Sequence, residues 1–402
     1  MPNADNWQGD VLRDLGGAAP RGGQRRGDAG HAVGSPSQAP GIPSPGAPVP
    51  DAGPGTGAPG QAGQAGQAGQ AGQAGHQRQE RPAPAPYTPG ARAPRNTPGS
   101  RPVVDEGLAG AVRKPHHGEP LAARAAHALR RIVSSSAARE VAEATRTAER
   151  LQQPVTTGRQ IAVTSIRGGA GKSTVTALLG TTYAHYRQDP VLLVEADPAL
   201  GSLPLRLGAP SLRWTTGDVA DIVEPQMSLL DVTGYLVQLR DNAWLLPGSQ
   251  GRIGAMLDTR AYERVMVSLR RYFGVTVVDC ETLPAEVARV ALSASQARVL
   301  TAPATLEGVM STYNVLEWVK GLPRHVIEGT VVVLTEQSPR PGIDLGKAAQ
   351  KLASTGASVQ ILPYDRHLAS GGAIRTELLA RSTRQAATRL AADVFQLSQK
   401  RR

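Results

Sequence analysis

Residues 164–174 read TSIRGGAGKST, and the fold of the chain turns on how this stretch is taken. The common phosphate-cradling pattern G-x-x-x-x-G-K-[ST] needs glycine where Ile166 stands, and an arginine, Arg167, follows it. The surroundings are nonetheless those of such a loop. The β-rich run RQIAVTS (159–165) enters it, and GKSTVTALLGTTYAHY (171–186) leaves it as a helix. Strand, Gly-rich loop and helix, in that order, bring backbone N–H groups and a helix N-terminus to a phosphate. Gly168, Gly169, Ala170 and Gly171 then line the cradle, Lys172 reaches the β- and γ-phosphates, and Ser173, beside Thr174, offers a hydroxyl to Mg²⁺. A Gly-rich turn opening an ordinary helix has no need of Lys-Ser directly after its last glycine.

Around this loop the texture is that of an α/β chain. VLLVEA (191–196), VTVVD (275–279), ARVLTA (297–302), TVVVLT (330–335) and SVQIL (358–362) are core strands by pattern, with AWLLP (243–247) as a further candidate. Helical stretches alternate with them. In DTRAYERVMVSLRRYF (258–273), Tyr262, Val265, Met266 and Leu269 share a face and Asp258 can cap the start. Near-continuous apolar strands between helices predict a doubly wound, mostly parallel sheet covered on both faces. In such a sheet the ligand sits at the carboxyl ends of the strands.

Two of those ends are acidic. In VEADPALGSLP, Glu195 and Asp197 flank Ala196, so both carboxylates point to one side of an extended chain. They can join a metal shell or orient a water, although a solvated strand end looks the same. VTVVDCET places Asp279 where an acid holds a metal through water.

The first part of the chain is of another kind. More than half of the 32 prolines lie in the first 120 residues, together with the repeat GQAGQAGQAGQAGQAG (60–75). Such sequence buries too little apolar surface to offset the entropy of ordering it, so residues 1–118 are expected to form a disordered arm. Its Pro-rich stretches, RPAPAPYTP (81–89) for one, can present an extended helix to a partner protein, or the arm can be a passive solubilising tail. Residues 119–153 read as a basic helical linker, with Leu121, Ala125, Leu129 and Ile132 at helical spacing and Arg124, Arg130 and Arg131 elsewhere on its surface. That helix can pack as a connector or dock on a membrane. Residues 154–402 make up the third segment.

Composition sets bounds. The net charge of +11 permits nucleic acid or anionic lipid as a partner without requiring either. One cysteine, Cys280, precludes an intrachain disulfide. The opening MPNADNWQGDVLRDL has no apolar h-region, and no apolar run approaches the ~18 residues of a membrane span, so a cytoplasmic location is expected, with recruitment to the inner face of the membrane as an extension.

From about residue 159 to 398 the chain resembles the ParA/MinD family of P-loop ATPases, whose loop has the deviant form K-G-G-x-G-K-[ST]. Its D-x-D-P strand end matches Glu195-Ala196-Asp197-Pro198, its Walker B acid matches Asp279, and its I-P-x-D element is similar to ILPYDRHL (361–368), which brings in Pro363 and Asp365. The proline-rich arm, the basic helix, RGGAGKST and ADPALGSLPLRLGAP further resemble the EspI-like ATPases of actinobacterial type VII secretion loci. The resemblance implies ATP and Mg²⁺ as ligands, ATP-dependent homodimerisation and slow hydrolysis. It implies catalytic roles for Lys172, Asp197 and Arg167, nucleotide contacts from residues 168–174, Pro363 and Asp365, and a metal shell of Ser173, Asp279 and Glu195.

Three departures stand out. Arg167 replaces a signature lysine that reaches the partner subunit's phosphates, Glu195 replaces an aspartate, and Thr335 stands where an asparagine reads adenine. The leading expectation is an ATP-driven dimerisation switch serving secretion machinery. The alternatives are a positioning ATPase on DNA or membrane and a non-catalytic nucleotide-binding scaffold. The C-terminal RQAATRLAADVFQLSQKRR carries Leu390, Val394 and Leu397 at helical spacing, which suits packing on the sheet or a membrane-targeting helix. Surface arginines Arg381, Arg384, Arg389, Arg401 and Arg402 are the DNA-binding candidates.

Overall fold

The computed structural model describes residues 97–109, 115–122, 124–125, 137–252 and 254–400. Its strands are β1 (Arg101–Pro102), β2 (Arg159–Ser165), β3 (Val191–Ala196), β4 (Ser211–Leu212), β5 (Val237–Gln238), β6 (Ala243–Leu246), β7 (Val275–Cys280), β8 (Ala297–Pro303), β9 (Thr330–Thr335) and β10 (Ser358–Leu362). The longer helices are α1 (Ala137–Leu151), α2 (Lys172–Tyr186), α3 (Thr216–Ile222), α4 (Thr259–Leu269), α5 (Glu286–Ala294), α6 (Leu306–Val319), α7 (Leu345–Ala353) and α8 (Arg381–Gln399).

Among the described residues, one sheet runs in the order β10-β9-β8-β2-β7-β3-β6-β5, parallel throughout except for the edge strand β5. Every residue of β3, β7 and β9 is buried, which is what runs such as VLLVEA and TVVVLT require: they have no polar face to give to water. Odd-numbered residues of the central strands pack with α2 and α8, and even-numbered ones with α3, α4 and α5, so the sheet is wound on both faces. The Asp258 carboxylate accepts from the Ala261 N–H at the start of α4, whose face of Tyr262, Val265, Met266 and Leu269 is buried. β2 lies between β8 and β7, which brings its carboxyl end to the middle of the ligand edge.

Described residues at 99–103 and 118–119, within or beside the segment that composition assigns to an arm, are in contact with the domain. β1 pairs antiparallel with β4, and the Val103 N–H donates to Pro210 O at 3.2 Å while its side chain packs on the core. The Gln250 amide donates to Gly99 O and Arg213 O, and Arg101 Nη1 donates back to Gln250 O. Further on, Gly118 has Ala380 N and both Asp365 oxygens 2.5 Å from where a Cβ would stand, so only glycine fits. The Glu119 carboxylate accepts from the Arg381 N–H at the start of α8. The cause is local: RPVVD is a short β-forming stretch inside Pro-rich sequence. Residues 60–75 and 81–89 lie outside the described residues.

A chain starting at residue 97 should therefore melt with the full-length protein. One starting at 119 should melt roughly 2–6 °C lower, since it loses the β1 ladder and the Val103 contact. Equal melting temperatures for the two would show that β1 adds nothing to stability.

Of the linker's described residues only Leu151, at the end of α1, is buried, while Leu121 and Ala125 of its expected apolar face are exposed. Arg187 Nη1 donates to Leu151 O and Gln153 O at 2.6 and 3.0 Å. The same guanidinium pairs with Asp189 and lies 4.4 Å from the Phe395 ring centre. Leu129, Arg130, Arg131 and Ile132 lie outside the described residues. At the other end of the chain, Leu390, Val394 and Phe395 of α8 are buried on the sheet, so its apolar face is used in packing. Among the described residues no helix is long and apolar enough to cross a membrane.

Candidate functional site

β2 ends at Ser165, whose hydroxyl donates to Arg167 O at 2.7 Å and turns the chain into the loop. Gly169 and Gly171 then take φ of +73° and +86°, a left-handed conformation that other residues adopt with strain. A Cβ added at Gly168 or Gly169 would meet no atom within 4 Å, so both face the open mouth of the loop. α2 begins at Lys172 with Gly171 as its N-cap and no side-chain hydrogen bond to its first turn. Its leading N–H groups are left for an anion, the arrangement that binds phosphate.

The floor of the loop comes from β9. The Thr335 hydroxyl donates to Ala170 O and Ala302 O at 3.1 and 3.3 Å, and the Gln337 amide donates to Gly169 O. The resemblance puts Thr335 in the place of a base-reading residue. The structure puts it beneath the loop, 95% shielded from solvent, with its methyl 3.4 Å from where a Gly171 Cβ would be. The reason is that β9 ends next to β8 and under the turn, not beyond it.

Lys172 Nζ donates to Thr282 Oγ1 at 3.1 Å and stands 4.0 Å from Asp197 Oδ2. Asp197 Oδ1 accepts from the Leu200 N–H, which ties the strand-end loop to its own carboxylate. Asp279 is fully buried. Its Oδ1 accepts from the Thr176 hydroxyl at 3.4 Å, and its Oδ2 has no partner in hydrogen-bonding geometry. Burial pushes its carboxyl up to about 7, against the pull of the Ser173 hydroxyl and Lys172.

Glu195 is also buried, its Oε2 accepting from the Gly248 N–H at 3.2 Å. Burial pushes its carboxyl up to about 8; the Gly248 N–H opposes this, while the charges of Asp279 and Asp197 add to it. Glu281 is raised as well, by burial and by the charge of Asp197, with Lys172 acting the other way.

The Glu195 shift has a consequence for stability. A carboxyl at about 8 in the folded chain and about 4.5 unfolded keeps its proton only in the folded state between those pH values. Its contribution is full below about 4.5 and lost as pH rises to about 8. Glu195→Gln, which stays neutral, should flatten this fall and leave the protein more stable than wild type at pH 8, by on the order of a few kcal/mol. Asp279 keeps part of the slope in both proteins. Denaturant melts across the window check this, and identical slopes would exclude a buried neutral Glu195.

Lys172, Ser173, Glu195, Asp197 and Asp279 are thus gathered at one point, below the glycines. Arg167, Pro363 and Asp365 are not. Arg167 Nη2 pairs with Glu307 Oε1 at 3.0 Å on the surface, the two side chains 51% and 71% exposed. Asp365, expected at the nucleotide, has both oxygens in use: Oδ1 accepts from the His367 and Leu368 N–H groups and Oδ2 from the Ala380 N–H. Its carboxylate ties the end of β10 to the start of α8, and could meet a base only by giving up a cap. Pro363 follows β10, which is separated from β2 by two strands, β9 and β8. Thr282 and Glu281 were not legible as site residues, though D-x-E at 279–281 mirrors E-x-D at 195–197.

Among the described residues no group of three or more His, Cys, Asp and Glu side chains converges as a metal cage. A divalent cation here needs phosphate oxygens and water for most of its shell. The unpartnered Asp279 Oδ2 beside the Ser173 hydroxyl suits such a sparse set of protein ligands.

A parallel sheet with a left-handed glycine loop, an uncapped helix and a lysine set among strand-end acids defines a P-loop nucleotide-binding protein. The model of the CobQ/CobB/MinD/ParA nucleotide binding domain matches residues 161–368, just over half of the chain. The chain belongs to that family.

Among curated relatives, it is 28% identical over 229 residues to the ESX-1 secretion-associated protein EspI of Mycobacterium tuberculosis, covering 55% of this chain and 34% of that protein. It is 32% identical over 124 residues to the septum site-determining protein MinD of Thermotoga maritima, covering 30% of this chain and 44% of the relative. The chain therefore spans less than half of the length of either. Similar solved structures include a ParA family ATPase from Chlorobium tepidum, at TM-score 0.48 and 14% identity over 58% of this chain and 98% of that one. Another is MinD of Pyrococcus horikoshii complexed with Mg-ADP, at 0.46 and 21% over 59% and 96%.

Proposed function

We propose that the chain is an ATP-dependent molecular switch: Mg·ATP binding promotes dimerisation, slow hydrolysis resets it, and the Pro-rich arm engages a protein partner, in secretion machinery at the inner face of the membrane. The observation that carries the nucleotide part is the open glycine loop on an uncapped α2, with Lys172 tethered between Thr282 and Asp197. That lysine can exchange its partners, a neutral hydroxyl and a carboxylate 4.0 Å away, for charge-assisted hydrogen bonds to phosphate oxygens.

In this reading the loop N–H groups and Lys172 bind the β- and γ-phosphates, while Ser173 and Asp279 hold the cation, with Glu195 behind them. A bound Mg²⁺ supplies neutralisation of the phosphate charge that grows during transfer. Asp197 orients the attacking water, and Arg167 reaches the facing subunit. The secretion part is supported by the likeness to a secretion-associated relative, and by an arm whose composition suits partner recognition. Membrane targeting through the last helix has less support, because the apolar face of α8 is already buried.

Size-exclusion chromatography with ADP and with ATP, beside an ATPase assay, tests the proposal. A dimer with ATP, a monomer with ADP and measurable turnover are expected. ATP binding without dimer or turnover would leave a scaffold, and tight salt-dependent binding to nonspecific DNA would favour a positioning ATPase.

A further inference from the structure

β3 and β7 run parallel with Glu195 opposite Asp279 and Ala196 opposite Cys280, so the next pair along is Asp197 and Glu281. Side chains alternate along a strand. Leu193 and Val277 face the core on the α2 side, whereas Ala196 and Cys280 face the other, so Glu195 and Asp279 fall on the side of the phosphate loop; just past the strand ends, Asp197 stands 4.0 Å from Lys172 and Glu281 lies within the field of both. The four acids form a two-by-two array. Glu195 and Asp279 are the inner pair, fully enclosed, and Asp197 and Glu281 are the outer pair at the mouth. The Glu281 main-chain oxygen is held by the Thr164 hydroxyl at 2.8 Å, and its carboxyl feels the charges of both Asp197 and Lys172. The unpartnered Asp279 Oδ2, buried beneath, marks the array as facing a ligand.

We propose that Glu281 is a second catalytic carboxylate for ATP hydrolysis, holding one hydrogen of the attacking water while Asp197 holds the other. This rests on the ATPase reading above. A water molecule has two donors, and Asp197 and Glu281 both lie within the field of Lys172 and of each other, so one water between them can give each carboxylate a hydrogen bond of about 2.8 Å. With both hydrogens held, the free lone pair is left for the γ-phosphorus. The water oxygen forms its bond to that phosphorus as the bond from phosphorus to the β–γ bridging oxygen breaks. The electron pair leaves with ADP, and one water proton passes to the carboxylate pair and then to phosphate or solvent. A Glu281 that only balanced the charge of Lys172 would act on nucleotide binding instead.

The test is steady-state ATPase kinetics on the full chain, with ATP affinity measured by calorimetry as a check on folding. Glu281→Ala should lower kcat on the order of 10–100-fold with KM and ATP affinity within about twofold of wild type. Glu281→Asp should recover part of kcat. The Glu281→Ala/Asp197→Asn double variant should be little slower than the slower single, because the two act on one water. A wild-type kcat in Glu281→Ala, or a raised KM with kcat intact, overturns the role of Glu281 alone. A wild-type chain that binds ATP without any turnover overturns the ATPase reading beneath it.

Discussion

Lys172→Ala is expected to weaken ATP binding by at least ~100-fold, to the point of loss in an ordinary calorimetric titration. Removing one partner of an enclosed, hydrogen-bonded charge pair costs about 2–5 kcal/mol, and each 1.4 kcal/mol is tenfold in affinity. Here the loss is compounded. The ammonium sits 4.0 Å from Asp197 and acts on Asp279 and Glu281, so without it the phosphates would enter a site bounded by four carboxylates. Two of these, Glu195 and Asp279, are already pushed toward their neutral forms by burial. The fold should survive, because Lys172 is the first residue of α2 and supports no core contact. Unchanged affinity in Lys172→Ala would remove the phosphate-loop assignment.

Arg167→Ala is expected to bind ATP nearly as wild type does but to lose turnover on the order of 10³-fold, together with the ATP-induced dimer. The ion pair that Arg167 makes with Glu307 is exposed on both sides, and such pairs contribute about 0–1 kcal/mol. Little therefore holds the guanidinium to its own subunit. It stands on the loop itself, one residue before Gly168, where a facing subunit's phosphates would come within reach. Arginine brings a planar fork of donors in place of a point charge, so Arg167→Lys should keep much of both activities. Glu307→Gln should leave turnover intact or raise it, because it frees the arginine. Dimerisation and hydrolysis at wild-type level in Arg167→Ala would make Arg167 a solvated loop residue paired with Glu307.

Local sequence determined the elements and their order. The strands at 159–165, 191–196, 330–335 and 358–362 follow from apolar runs that fit a sheet covered on both faces, and the helix after Gly171 follows from the loop that opens it. Lys172, Ser173, Glu195, Asp197 and Asp279 were legible for the same reason: each stands at the end of a strand or the start of a helix, and in a parallel sheet all such ends lie on one edge. What tertiary structure decided depends on which strands become neighbours and in what register, quantities that no single stretch of sequence carries. The pairing of β3 with β7 set Glu281 beside Asp197, and the end of β9 put Thr335 under the loop instead of beyond it. Packing of α8 against β10 consumed the Asp365 carboxylate, and β4 drew Arg101–Pro102 out of a segment whose composition alone marks it as arm. Asp365 meets Ala380 only 15 residues on, but Thr335 meets Ala170 across 165 residues, and in each case only the folded chain brings the partners together.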